Sequence, residues 1–247
     1  MQVKTIVTGP FQENTFLVRK VDASHGAAKQ GITYKGSGRV PSTGSGQVPA
    51  IIVDPGDEAD RLMEEITAEN LSLGAILATH AHIDHVGAIE ELRRWSGAVV
   101  CFPEGEREAL GLLPDSCRFF GLPEKPIPRV DHWLSPDLAD LAEVLSPDQL
   151  GGLEIAVHAT PGHTPGGVCY QIEDHWFVGD TLFCGSVGRV DLPGGDWPAL
   201  QASLRFLMSL PDDTMIFPGH GPCTTIGREK QINPFLLELR QRDTAHV

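Results

Sequence analysis

Three imidazoles and a carboxylate fall within six consecutive residues, His80 to His85, in the stretch Thr79-His80-Ala81-His82-Ile83-Asp84-His85. Imidazole nitrogen and carboxylate oxygen are the ligands that borderline divalent metals take. A chain with this cluster must fold so that four polar side chains face a cleft. Gly74 to Thr79, just before it, is a short apolar run long enough for a buried strand. Asp84 to Trp95, just after it, reads as a helix with Val86, Ile89, Leu92 and Trp95 on one face. The cluster therefore sits on a strand-to-helix turn between two rigid elements. His80 and His82 can turn toward one point while Asp84 and His85 aim at a neighbouring one.

The rest of the chain alternates strands and helices. Val3–Val7 and Thr15–Arg19 read as strands joined at Gly9-Pro10. The stretch 22–47 is rich in Gly and Ser and reads as a flexible surface insertion. Ala50–Val53 resumes as a strand, Arg61–Glu69 as a helix with Leu62 and Ile66 inward, and Ala98–Phe102 as a strand. Leu113–Pro128 reads as irregular, and Leu138–Val144 as a short helix. After Gly151-Gly152 come strands at Leu153–Ala159, Gly167–Ile172 and His175–Val178. A helix at Trp197–Leu210, a strand at Thr214–Phe217 and a last helix between Ile226 and Arg240 complete the pattern. Hairpins mingle with crossovers, which predicts an α/β fold of layered sheets covered by helices, built as a single domain over 1–247.

Composition narrows the function. The formal charge of −14 disfavours nucleic acid as a partner, because phosphate binding needs basic surface. No apolar run reaches the roughly 18 residues of a membrane span. The N-terminal residues lack the pattern of a signal peptide, so cytoplasm is the expected compartment. Cys101, Cys117, Cys169, Cys184 and Cys223 form no C-x-x-C pair, which argues against a disulfide framework or a cysteine-ligated zinc knuckle. Most of them are expected to be buried small hydrophobes, Cys184 among them.

Three later segments can complete a metal centre. His163 lies in Thr160-Pro161-Gly162-His163-Thr164-Pro165-Gly166-Gly167, Asp180 in Val178-Gly179-Asp180-Thr181, and His220 in Phe217-Pro218-Gly219-His220-Gly221-Pro222. Each follows an apolar strand at a Gly/Pro turn. Strand ends on one sheet edge converge, so all three can face the cleft of the first cluster. Asp54, at the end of its own strand, reads either as a helix cap before Arg61 or as a carboxylate supporting the site.

These four segments together resemble the metallo-β-lactamase superfamily, and within it the glyoxalase II-like hydrolases of the short bacterial type. Gln12 to Val18, Gly185 to Asp196 and Gly219 to Leu236 extend the likeness. The resemblance implies an αββα sandwich of two mixed β-sheets flanked by helices, with the site along one edge. It implies two divalent metal ions, zinc first and iron or manganese next. His80, His82 and His163 would hold one, Asp84, His85 and His220 the other, and Asp180 would bridge them, making Asp84 and Asp180 the catalytic carboxylates. Asp54 matches a position from which a carboxylate orients a ligand imidazole. Arg189 matches a basic residue that contacts the glutathione part of the family's substrate, although a salt bridge to Asp191 or Asp196 suits it equally. Only 27 residues follow His220, so the C-terminal helical domain of full-length glyoxalase II is not expected.

The expected reaction is hydrolysis of a small thioester, and the resemblance points to a glutathione-derived one. A thiol with a pKa of about 8.5 leaves as thiolate without a strong general acid, and the motifs contain no spare acid. The alternatives are a mononuclear-iron persulfide dioxygenase and a lactonase or general thioesterase of the same superfamily.

Overall fold

The computed structural model describes residues 1–21 and 46–245. Its first half runs β1 (Gln2–Thr8), β2 (Glu13–Arg19), β3 (Val48–Val53), α1 (Ala59–Ala68), β4 (Leu71–Leu77), α2 (Ile83–Val86), α3 (Ile89–Ser96), β5 (Val99–Pro103), α4 (Arg107–Gly111), α5 (Leu113–Phe120) and β6 (His132–Leu134). The second runs β7 (Ile155–Ala159), β8 (Val168–Ile172), β9 (His175–Gly179), β10 (Leu182–Phe183), β11 (Ser186–Val187), α6 (Trp197–Met208), β12 (Met215–Pro218), β13 (Thr224–Thr225), α7 (Ile226–Ile232) and α8 (Pro234–Ala245). The bulk of the stretch expected as a flexible insertion, 22–45, lies outside the described residues.

Two mixed sheets form, in strand orders β1-β2-β3-β4-β5-β6 and β13-β12-β9-β8-β7. In the first, β1, β2 and β3 pair antiparallel and β3 to β6 run parallel. In the second, β12 is parallel to β9 and the other pairs are antiparallel. Period-2 alternation splits the strand side chains between two cores. Phe16, Val18, Ile51, Val53 and Leu77 face Tyr170, Phe177 and Phe217 between the sheets. On β2, β3 and β4 the intervening Leu17, Ile52 and Ile76 pack against Leu62 and Ile66 of α1 and Ile89 and Leu92 of α3. Across the molecule, Trp176, Val178 and Ile216 pack against α6, α7 and α8 through Leu200, Leu204, Ile226 and Leu236. The layers are therefore αββα, as the resemblance implied.

Four local expectations need correction. The helix expected at Asp84–Trp95 is broken at Gly87 and Ala88. Ala88 N donates to Pro55 O at 3.0 Å, and a Cβ on Gly87 would lie 2.4 Å from Gly56 O. The loop after β3 is thus pressed into the helix at that point, and Trp95 is left 46% exposed. Leu113–Phe120, expected as irregular, is helical: Pro114 sits in its first turn, where no intrahelical N–H bond is lost. The helix expected at 138–144 is a single 3₁₀ turn, Leu141–Glu143, capped by Asp140. The last helix is two, because Pro234 lacks an N–H and forces Asn233 into an extended backbone.

Candidate metal centre

The site lies where strands of both sheets end along one edge. Thr79 to His82 follow β4, Asp54 follows β3, Asp180 follows β9, His220 follows β12, and His163 sits in the β7–β8 loop. All seven ligand candidates come together. His80, His82 and His163 each bring a donor atom within 4.8 Å of the others, and so do Asp84, His85 and His220. Asp180 borders both sets, with Oδ2 at 3.5 Å from both His163 Nε2 and His220 Nε2 and Oδ1 at 3.4 Å from His85 Nε2.

Hydrogen bonds fix which imidazole nitrogen faces inward. His163 Nδ1 bonds the Arg189 carbonyl at 2.7 Å, which turns Nε2 to the cluster. His85 Nδ1 lies 3.0 Å from Asp54 Oδ2, again leaving Nε2 inward. His80 Nδ1 meets Thr79 Oγ1 at 3.0 Å, and that hydroxyl donates to Asp54 Oδ2 at 2.7 Å. Thr79 N donates to Asp54 Oδ1 at 2.6 Å. Asp54 thus orients His85 directly and His80 through Thr79. The helix-cap alternative for Asp54 fails, since α1 begins after Glu58 with no side-chain cap.

The loops are pinned from the protein side. Asn14 Nδ2 donates to Pro218 O and Gly221 O at 2.9 and 2.8 Å, and so holds the His220 turn. Glu106, fully buried, was not foreseen. Its Oε2 accepts from Ala81 N at 2.9 Å and its Oε1 from Gly166 N at 2.7 Å. One carboxylate therefore ties the His80–His82 turn to the His163 loop. A lone Glu between two turns carries no motif; only its Gly105 neighbour hints at a close approach, and a Cβ there would lie 2.7 Å from Gly166 Cα. Glu13, whose carboxylate lies beside Asp54 and His85, was also not foreseen. It is buried, takes hydrogen bonds from Thr8 and Thr15, and burial pushes its carboxyl well above the ordinary range.

Electrostatics match a cation site. Burial drives His80 well below the usual imidazole range and His82 down to about 4, with neighbouring imidazoles adding to both. Burial also opposes charge on Asp180, but His85, His220 and His163 together outweigh it and hold that carboxyl well below its usual range. His85 itself is raised against burial by Asp180 and Asp54. His85 Nε2 and Asp180 Oδ1 are buried with no hydrogen-bond partner. Unpaired buried polar atoms are rare without a functional reason. Seven nitrogen and oxygen donors converging around them fit divalent ions, with no thiolate in the set.

The centre opens into a cleft of about 350 Å³ that includes Phe11, Phe120, Phe183 and Arg189. Arg189 donates through Nε and Nη2 to Asp191 at 2.6 and 2.7 Å, which is the salt bridge that its sequence position allowed. Most of the cysteines are buried as expected, namely Cys101, Cys117 and Cys169, but the packing role expected of Cys184 is not seen. Cys184 Sγ accepts from Arg228 at 2.8 Å, and Cys223 is exposed on the His220 turn.

Together these features define a protein with a His/Asp cluster that fits a metal site on the edge of an αββα sandwich. The chain belongs to the metallo-beta-lactamase superfamily, whose family model matches residues 48–220. Hydroxyacylglutathione hydrolase GloC of Haemophilus influenzae is 39% identical over 191 residues, covering 76% of this chain and 87% of that relative. Among solved structures, BLEG-1 B3 metallo-beta-lactamase superposes with a TM-score of 0.76 at 35% identity over 95% of this chain and 99% of its own. TTHA1623, crystallised in a di-iron-bound form, does so with a TM-score of 0.73 at 36% identity over 95% and 100%. Among the described residues, no helix is long and apolar enough to cross a membrane.

Proposed function

We propose that this protein is a binuclear metal-dependent hydrolase that cleaves thioesters of the hydroxyacylglutathione type. The observation that carries the reading is the convergence of two three-residue donor sets on Asp180. In this reading His80, His82 and His163 hold one ion, Asp84, His85 and His220 the other, and Asp180 lies between. We take zinc as the native metal, with iron next because TTHA1623 was crystallised with two irons. The ions would supply Lewis acidity, making water nucleophilic near neutral pH and polarising the carbonyl under attack.

The chain's own residues do the rest. Asp54, Thr79 and the Arg189 carbonyl keep three imidazoles in one tautomer. Glu106 and Asn14 hold the loops at fixed separation, so nothing need reorganise during the reaction. Around the centre the cleft offers Phe11, Ile83, Ser116, Phe120 and Phe183, and its described lining residues include no free carboxylic acid or spare imidazole. A thiolate leaving group suits that lining, because it departs without a proton. Arg189 is the candidate anchor for a carboxylate of the thiol portion, exchanging Asp191 for substrate. Arg189→Ala should then raise KM for an anionic thioester about tenfold with little change in kcat; an unchanged KM would reject that role.

The test of the main reading is hydrolysis of S-D-lactoylglutathione by metal-quantified protein, with Asp84→Ala beside it. Turnover that collapses at least 100-fold in the variant supports the reading. A single iron with oxygen uptake on glutathione persulfide would replace it with persulfide oxidation.

A further inference from the structure

Beyond the metal ligands, the cleft wall is largely apolar. Phe11, Ile83, Phe120, Phe183, Val187 and Leu192 line it, and Arg189 is the only cation among its described lining residues. That cation is paired with Asp191, which an anionic thiol portion would have to displace. Phe11 and Phe120 meet edge to face at 5.2 Å, and Phe119 abuts Phe120 at 5.0 Å. These rings are 36%, 43% and 78% exposed in the order Phe11, Phe120, Phe119. Large aromatic surface left open at the rim of a site marks a place where apolar ligand is buried. Phe119 and Phe120 are held on α5, which is seated through buried Leu113 and Cys117, while Phe11 lies on the turn between β1 and β2.

The two ends of the cleft differ. Arg189 borders His163 through its carbonyl. Phe11, with Ile83 and Asp84, is shared with a second hollow of about 80 Å³ that continues past Leu122 and Pro123. A substrate laid across the centre would put its polar part beside His163 and its apolar part beside Asp84. Among the described residues, a strongly anionic substrate would find two cations, each already paired, Arg189 with Asp191 in the cleft and Lys125 with Asp57 in the adjoining hollow, on a protein of net charge −14.

We propose that the preferred substrates are thioesters with an apolar acyl group of four or more carbons, packed against Phe11 and Phe120 with the thiol portion toward Arg189. The proposal rests on the thioester hydrolase reading above, keeps the thiol portion beside Arg189, and replaces the hydroxyacyl group with an apolar one. Hydrolysis adds one water: a C–O bond forms at the acyl carbon, the C–S bond breaks, and a carboxylate, a thiol and a proton leave the balance closed.

The test uses the full-length, metal-loaded protein and N-acetylcysteamine thioesters of acetyl, butyryl, hexanoyl and octanoyl groups, with S-D-lactoylglutathione as the reference. Each methylene packed on a half-open aromatic wall should raise kcat/KM about twofold, giving roughly a 16-fold rise from acetyl to hexanoyl. Phe120→Ala, at a half-exposed position, should reduce the hexanoyl-to-acetyl ratio at least fivefold. A flat or falling series with S-D-lactoylglutathione still turned over would overturn the apolar-acyl proposal and leave the hydrolase reading standing. A rising series that Phe120→Ala leaves unchanged would overturn the assignment of the aromatic wall. No turnover of any thioester by protein with two bound metals would overturn the hydrolase reading itself, and this proposal with it.

Discussion

Gly219 is the position where one methyl group tests the whole arrangement. It precedes His220 and is held on both sides: its N–H donates to Gly179 O at 2.8 Å and its carbonyl accepts from Asn14 N at 2.7 Å. A Cβ there would lie 2.3 Å from Asp180 Oδ1 and 2.6 Å from His85 Cε1. Ordinary contacts begin near 3.5 Å, so both side chains must retreat, each by about 1 Å. The pinned backbone cannot, and both affected side chains belong to the proposed ligand sets. Overpacking of this kind costs about 1–3 kcal/mol, equivalent to a Tm loss of roughly 2–12 °C for a chain of this size. A 1 Å displacement of a catalytic group costs on the order of 100-fold in rate. Gly219→Ala should therefore remain folded, retain fewer than two metals after dialysis against a weak chelator, and lose about 100-fold in kcat. Gly221→Ala is the control: its Cβ meets nothing within 4 Å, yet its φ of +76° strains any other residue, so it should lose stability without losing metal. Wild-type metal content and turnover within threefold in Gly219→Ala would refute the placement of Asp180 and His85 in the centre.

Three further expectations follow from buried carboxylates. Asp54→Ala removes the acceptor for Thr79 N, Thr79 Oγ1 and His85 Nδ1, so metal affinity should fall 10–100-fold and stability by about 3 kcal/mol, read by chelator competition and urea unfolding. Glu106→Ala should weaken metal binding about tenfold through the His80, His82 and His163 set, and Glu106→Gln should recover part of it because one amide oxygen can still accept from Ala81 or Gly166. Glu90 is held down to about 2, first by its hydrogen bond to Arg93 and against burial, with the Arg129 N–H and Arg94 adding to it. Its folded pKa lies below the ordinary 4.5, so its contribution is complete above that pH and disappears as pH falls toward 2. Glu90→Gln should lose about 2 kcal/mol at pH 7 in urea unfolding, and the difference from wild type should vanish near pH 2.

The ligands were legible in the sequence because each sits in a local pattern, an apolar strand running into a Gly/Pro turn. Their supports were less so. Glu106 acts on backbone N–H groups 25 and 60 residues away, and no spacing rule connects them. Asp54 read equally as a cap, and only the fold brings Thr79 and His85 to it. Helix limits failed where tertiary contact or backbone chemistry overrode periodicity: the Gly56 backbone pressing on Gly87, and Pro234 ending α7. Leu113–Phe120 was hidden by a proline that its first turn tolerates, and that helix carries the aromatic wall of the cleft.

The central claim is that two metals at one Asp-bridged centre hydrolyse a thioester. The most direct test is to titrate zinc into metal-free protein while following S-D-lactoylglutathione hydrolysis. Activity that rises until two equivalents per chain and then stays level is the expected result; activity complete at one equivalent, or absent at two, would contradict the account.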